Sequence, residues 1–183
     1  MASVAEMQRF KSMIYNISAR FVSLPPGKVE KEIVECLKLI VKFLDIDRAD
    51  MWEMDKDRQK SLVTYSYASP GYAALSAMDA KLTFPWAYEK ILKGRVLKFS
   101  NVDKDIKIKT KDREFLKKER VKSFLALPLK ISGLIVVAIA FVSIKSHRAW
   151  TDELVQDLSF VGDIFTNAIL RKLRDESLRL AFN

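Results

Sequence analysis

The sequence predicts an α+β fold with an antiparallel sheet at its centre, and three observations carry that reading. The stretch from Ser123 to Ile144, SFLALPLKISGLIVVAIAFVSI, holds two apolar, β-branched segments that meet at Ser132-Gly133. Two further strand candidates, Ala49 to Met54 and Leu62 to Ala68, are joined by the polar linker DKDRQK. Segments at both ends of the chain repeat apolar residues at spacings of three and four, the pattern of helices that bury one face. A sheet and an amphipathic helix each have a face to hide, and packing one on the other hides both.

The apolar stretch comes first because it decides between a membrane and a core. A spanning helix needs about 20 predominantly apolar residues in a row. Pro128, Lys130 and Ser132-Gly133 interrupt this one, and Val, Ile, Leu and Phe dominate it without a helical stripe. Two buried strands joined by a short Ser-Gly turn account for all of these features.

The remaining elements follow in order. Met7, Phe10, Ile14, Ile17 and Phe21 mark a helix from about residue 3 to 23, broken by Leu24-Pro25-Pro26-Gly27. Proline cannot continue a helix and disfavours helical geometry in the residue before it. Val29, Ile33, Leu37, Ile40 and Leu44 stripe a second helix from about Lys28 to Leu44. In the strand from Leu62 to Ala68, alternation places Val63, Tyr65 and Tyr67 on one face. Tyr72 to Thr83 lacks a clean stripe and reads as a loop with room for a short helix. Pro85 and Gly94 bracket the short helix WAYEKILK, in keeping with proline at a helix start and glycine past its end. Val96 to Phe99 reads as a strand and the charged Asp112 to Arg120 as a helix.

Thr151, Asp152 and Glu153 mark the start of the last helix: a cap, then acidic residues opposing the N-terminal dipole, with Trp150 placed to staple onto Val155. Val155, Leu158, Phe165, Ile169 and Leu173 form its seam, widened by Leu154, Val161 and Ala168. Roughly thirty residues at 1.5 Å each make a rod about 45 Å long, so its end projects, pairs with another helix, or frays.

The 183 residues fit one domain, with 1–23 as the N-terminal helix, 24–172 as the core and 173–183 as a projecting end. One cysteine excludes an internal disulfide framework and a cysteine-based zinc site, which favours a cytoplasmic setting. The start MASVAEMQRF does not have the basic, then apolar, pattern of a signal peptide. The net charge is +9, and the segment from Arg95 to Lys122 holds 11 Lys and Arg against 5 Asp and Glu. Such an excess attracts nucleic acid or an anionic surface. The segment carries two Phe but no Tyr or Trp, and matches no helix-turn-helix or zinc-finger spacing. A solvated loop and exposed helix is the simpler reading, with nucleic-acid or anionic-surface binding as the alternative.

The order of elements, together with FPW, SFLALPL and RAWTDELVQDLSFVGDIFTNAI, resembles the GAF domain, over about Ile17 to Leu173. The likeness is to GAF modules of bacterial sensor kinases, diguanylate cyclases and enhancer-binding regulators. It implies a sheet of five or six antiparallel strands, terminal helices on one face and a small-molecule pocket on the other. It also implies a sensory role without catalysis, with the terminal helices carrying the signal to an output domain outside this chain. The three-four spacing of both terminal helices permits a parallel homodimer.

The reactive residues that define some members of that family are not evident. Cys36 lies in a helical stripe with no histidine beside it and reads as a buried structural thiol, since apolar surroundings raise a thiol's pKa. His147, the only histidine, sits in the polar turn KSHRAWTD and reads as solvent-facing, so no histidine triad or cluster exists. Asp45, Asp47, Asp50, Asp55 and Asp57 fit no calcium loop and read as solvated loop acids. No nucleophile and base stand together, so no catalytic residue or metal ligand is assigned, and no cofactor is named. What remains is aromatic. Trp52, Tyr65, Tyr67, Phe84, Trp86 and Phe141 occupy strands or strand-adjacent positions where such a pocket would lie, although large aromatics also fill ordinary cores. Arg95 and Ser123 are the polar candidates for the same pocket.

Overall fold

A computed structural model describes residues 4–181 except 56, 58 and 106. The expected positions 1–3 and 182–183 at the two ends, and three internal positions in the DKDRQK linker and the basic segment, lie outside the described residues. Five strands form one antiparallel sheet: β1 (Arg48–Met54), β2 (Ser61–Ala68), β3 (Leu97–Phe99), β4 (Ser123–Ile131) and β5 (Leu134–Ser143). Their order is β2-β1-β5-β4-β3, so the greasy hairpin β4–β5 supplies two of the three interior strands. Its turn residues Ser132 and Gly133 have φ of 50° and 81°. Two successive left-handed residues are what a tight two-residue hairpin requires.

Three helices cover one face: α1 (Val4–Val22), α2 (Val29–Leu44) and α6 (Asp152–Ala181). A single 3-10 turn at Pro26–Lys28 links the first two. All five stripe residues of α2 are fully or almost fully buried, as are Phe10, Ile14, Ile17 and Phe21 of α1. The α6 start is capped as expected, with Thr151 Oγ1 accepting from Leu154 N at 3.2 Å. Leu158, Val161, Phe165, Ala168 and Ile169 bury its first half, whereas Leu173 and Leu180 are 52% and 81% exposed. Gly162 lets α6 approach β4: a Cβ there would stand 2.5 Å from Leu129 Cδ2.

The other face is covered by smaller pieces: α3 (Ala80–Thr83), α4 (Pro85–Leu92) and α5 (Thr110–Lys118). The short helix for which 72–83 has room is α3, capped by Asp79, whose side chain accepts from Lys81 N at 2.9 Å.

Which side chain faces which layer follows from strand parity. Leu125, Leu127, Leu129, Val137, Ile139 and Phe141 point to the long helices. Their neighbours Phe124, Ala126, Ala138, Ala140 and Val142 point to the short ones. Parity breaks once. Met51 pairs with Tyr65 but Trp52 pairs with Val63, so Thr64 is an extra residue in β2. Such a bulge shifts everything beyond it to the opposite face. The expectation that Val63, Tyr65 and Tyr67 share a face is thereby corrected: Val63 packs under the short helices, the two tyrosines under the long ones.

Candidate pocket between the sheet and the short helices

On the short-helix side the sheet is floored by small residues in register. Ala126 pairs with Ala140, which pairs with Asp50, and Pro128 pairs with Ala138, which pairs with Trp52. Alanine removes volume beneath α4 and α5, and a cavity of about 100 Å³ remains there. Its walls are aromatic: Trp52, Phe84, Trp86, Tyr88, Phe115 and Phe124. Trp52 meets Phe84 edge-on at 6.0 Å, and Phe84 meets Phe115 edge-on at 4.6 Å between ring centroids. Edge-to-face contacts of this kind fix ring orientation.

The polar lining comes mainly from Arg48, Asp50 and Asp112. Arg48 and Asp50 are 3% and 1% exposed. Arg48 Nε donates to Asp50 Oδ2 at 2.9 Å, and Arg48 Nη1 reaches Glu119 Oε2, just past α5, at 3.5 Å. Asp50 Oδ1 accepts from Ser66 Oγ at 2.6 Å, and Ser66 Oγ accepts from Leu75 N at 2.9 Å. Burial pushes the Asp50 carboxyl above its ordinary range, opposed by the Arg48 charge and the Ser66 hydroxyl. Asp112, on α5, accepts from the backbone N–H groups of Trp86 and Ala87 at 3.2 and 2.8 Å. It therefore supplies the cap that Phe84, at the start of α4, has no side-chain oxygen to give. Burial raises Asp112 as well, with those two N–H bonds opposing.

Of the residues singled out from sequence, the structure brings Trp52, Phe84 and Trp86 together in the cavity wall. It places the others elsewhere. Tyr65, Tyr67 and Phe141 lie on the long-helix face, because β2 pairs them with Met51 and Ala49, and β5 sets Phe141 beside Leu125. Ser123 is buried but turned away, its Oγ accepting from Arg148 N at 3.0 Å. Arg95 is exposed in the connection from α4 to β3. The reading of the five aspartates as solvated loop acids is corrected for two of them. Asp47 and Asp50 are buried, and Asp47 Oδ2 anchors the turn after β5 by accepting from Ile144 N and Lys145 N at 2.5 and 2.9 Å.

Sequence reasoning missed Arg48, Asp50, Asp112 and the alanine floor. The alternation of alanine with large residues in FLALPL and VVAIAF was the available signal for the floor. Nothing local marks the polar three, since their burial arises from segments distant in the chain.

Cys36 is fully buried and its thiol is pushed up to about 12, first by burial and then by Glu32. His147 is exposed. Among the described residues no group of three or more His, Cys, Asp or Glu could hold a metal ion, and no helix is long and apolar enough to cross a membrane. The basic segment is divided between β3, a loop and α5. Two of its acids, Asp112 and Glu119, turn inward, and Arg113 donates to the carbonyls of Asp105 and Ile108.

No protein-family model and no curated protein matches this chain. Solved structures do match in shape. A phycocyanobilin-bound GAF domain from a cyanobacterial phytochrome superimposes with a TM-score of 0.71 at 16% identity, covering 90% of this chain and 96% of its own. The GAF domain of an Acinetobacter phosphoenolpyruvate-protein phosphotransferase gives 0.68 at 12% identity, covering 97% and 99%. The chromophore-binding domain of a bacteriophytochrome from R. palustris gives 0.79 at 9% identity, covering 96% of this chain and 64% of that one. At such identities the likeness concerns the fold.

Proposed function

From the premise that this chain has the GAF fold, we propose that it is a non-catalytic sensory module of a bacterial signalling protein, binding a small molecule in the aromatic cavity. The observation that carries the reading is the position of that cavity. It lies between the sheet and three short helices, on the face opposite α1 and α6. A ligand there contacts β1, β4 and β5, whose other faces support the long helices. Signalling requires that the ligand prefer one arrangement of those helices over another. The fold by itself names no signal.

Native mass spectrometry of freshly purified protein is the direct test. A co-purified small molecule, lost on unfolding and absent from a variant with Ala126→Leu filling the cavity floor, is the expected result. A retained mass adduct in that variant would place any ligand elsewhere and overturn the pocket assignment.

The same proposal includes a homodimer through the terminal helices and an output domain outside this chain, in the cytoplasm. Support comes from the far end of α6, where Leu173, Leu178 and Leu180 are exposed beyond the part that packs on the sheet. Sedimentation of the full chain is expected to give a dimer, and a chain lacking residues 1–23 and ending at Leu173 a monomer. Monomers in both would overturn the dimer. No observation favours the basic segment as a nucleic-acid site over this reading.

A further inference from the structure

We infer that the cavity takes a small uncharged ligand with one hydrogen-bond acceptor, its apolar body between Trp52, Trp86 and Phe115 and its acceptor on the Arg48 guanidinium. The inference rests on the sensory reading above and narrows the ligand class at the same site.

Size sets the first limit. A cavity of about 100 Å³ is smaller than the ~150 Å³ apolar cavity that accepts benzene and well below the ~300–1,000 Å³ of drug-sized sites. The space sets an upper limit of about six non-hydrogen atoms, the size of benzene. Nucleotides and tetrapyrroles are far larger than that.

Charge sets the second. Among the described residues Arg48 is the one cation on the lining, and it is already flanked by Asp50 at 2.9 Å and Glu119 at 3.5 Å. Asp112, on α5 in the roof, adds a further carboxylate to the lining. An anionic ligand would meet two lining carboxylates, Asp50 and Asp112, for one guanidinium already paired with Asp50, which disfavours it. A cationic ligand would have to share Asp50 with Arg48 and Ser66, or Asp112 with the N–H groups of Trp86 and Ala87, and would bring a second positive charge into the space that Arg48 lines. An uncharged molecule meets neither obstacle.

Donor capacity supplies the positive argument. A guanidinium carries five N–H groups. The hydrogen bonds of Arg48 among the described residues use Nε fully and Nη1 at the long limit of 3.5 Å. A buried guanidinium lining an apolar space with N–H groups to spare is suited to a ketone, aldehyde, ester or amide oxygen. The Asp50 carboxylate, itself fixed by the Ser66 hydroxyl, holds the guanidinium in place for it.

The test uses the whole chain and three probes of matched size: pentan-2-one, butyrate and butylammonium. The readout is the indole N–H resonance of each tryptophan. Trp52 and Trp86 line the cavity, whereas Trp150 is buried on the long-helix side and serves as an internal control. Pentan-2-one is expected to shift Trp52 and Trp86 saturably and leave Trp150 in place, with both ions binding at least about tenfold more weakly. Replacing the pair by apolar residues of similar size, Arg48→Met with Asp50→Leu, is expected to weaken the ketone about tenfold, the loss of one hydrogen bond to a charged donor. Where that variant does not give dispersed resonances, Arg48→Leu with Asp50→Val, which likewise removes the donor and its counter-ion together, serves in its place with the same expectation. Equal or tighter binding of butyrate or butylammonium overturns the inference and leaves the sensory reading standing. So does undiminished ketone binding in the Arg48 variant. Failure of all three probes to shift Trp52 or Trp86 likewise overturns the inference, whereas overturning the sensory reading falls to the co-purification test above.

Discussion

The carboxylate of Asp112 accepts a 2.8 Å hydrogen bond from the backbone N–H of Ala87, so α5 caps a helix that begins about 25 residues earlier. Together with the bond from Trp86 N, this contact ties the two helices that roof the cavity. Asp112→Ala is expected to destabilise the fold by about 1–2 kcal/mol, the cost of losing a cap, read from a urea midpoint. The pH dependence is a sharper check. Burial raises the Asp112 carboxyl above its ordinary 3.8, so the folded chain holds that proton to a higher pH than the unfolded chain. Stability from this group is present below 3.8 and declines as pH rises through the raised folded value. Asp112→Asn is expected to remove that part of the decline, and identical pH profiles for the two proteins would refute the assignment.

Arg48 and Asp50 form a buried ion pair, and breaking it from one side is expected to cost about 3–5 kcal/mol, because the remaining buried charge loses its counter-ion. Arg48→Ala alone tests this by chemical denaturation. The double replacement Arg48→Met with Asp50→Leu is expected to recover most of the loss. A double variant no more stable than the single one would mean that the pair matters through its shape and not its charge.

Gly162 is the residue that permits α6 to lie close on β4. Its replacement by alanine places a Cβ against Leu129, itself 2% exposed and unable to move freely. Overpacking costs typically about 1–3 kcal/mol, partly offset by the ~1 kcal/mol that alanine gains over glycine within a helix. A net loss is therefore expected for Gly162→Ala and a larger one for Gly162→Val, measured as shifts in Tm. In a double-mutant cycle, Leu129→Ala should relieve the clash, so the two effects combine less than additively. A stabilised Gly162→Ala protein would show that α6 does not make this contact.

Cys36 sits on the buried stripe of α2 with its thiol pushed up to about 12, so at neutral pH it remains protonated and shielded. It is expected to resist a disulfide-exchange reagent in the folded protein and to react fully in denaturant. Rapid reaction under native conditions would mean that α2 opens locally from the sheet.

Much of the fold was legible before any coordinates because it depends on periodicity. The stripe Val29, Ile33, Leu37, Ile40 and Leu44 implies a helix with one buried face wherever that face goes. Ser132-Gly133 breaks the apolar run into two strands whatever those strands pair with, and Pro128 and Lys130, both within β4, keep it from reading as one spanning helix. The site was legible only in part. Trp52, Phe84 and Trp86 line the cavity, but Tyr65, Tyr67 and Phe141, equally aromatic and also on strands, do not. Aromatic character reports burial and is silent on which side of a sheet the burial occurs.

Local chemistry and spacing along the chain settled the element types, the central hairpin, the capped start of α6 and the two-faced character of each strand. The tertiary structure decided which face became a cavity. One extra residue, Thr64, separated Val63 from the two tyrosines, and the long helices claimed the face bearing Leu125, Ile139 and Phe141. The alternate face, with Ala126, Ala138 and Ala140, was left to short helices that do not fill it. Strand alternation has a period of two, so between bulges it divides residues into two sets. Assigning a set to one layer depends on contacts between segments far apart in sequence, and no local pattern carries that information.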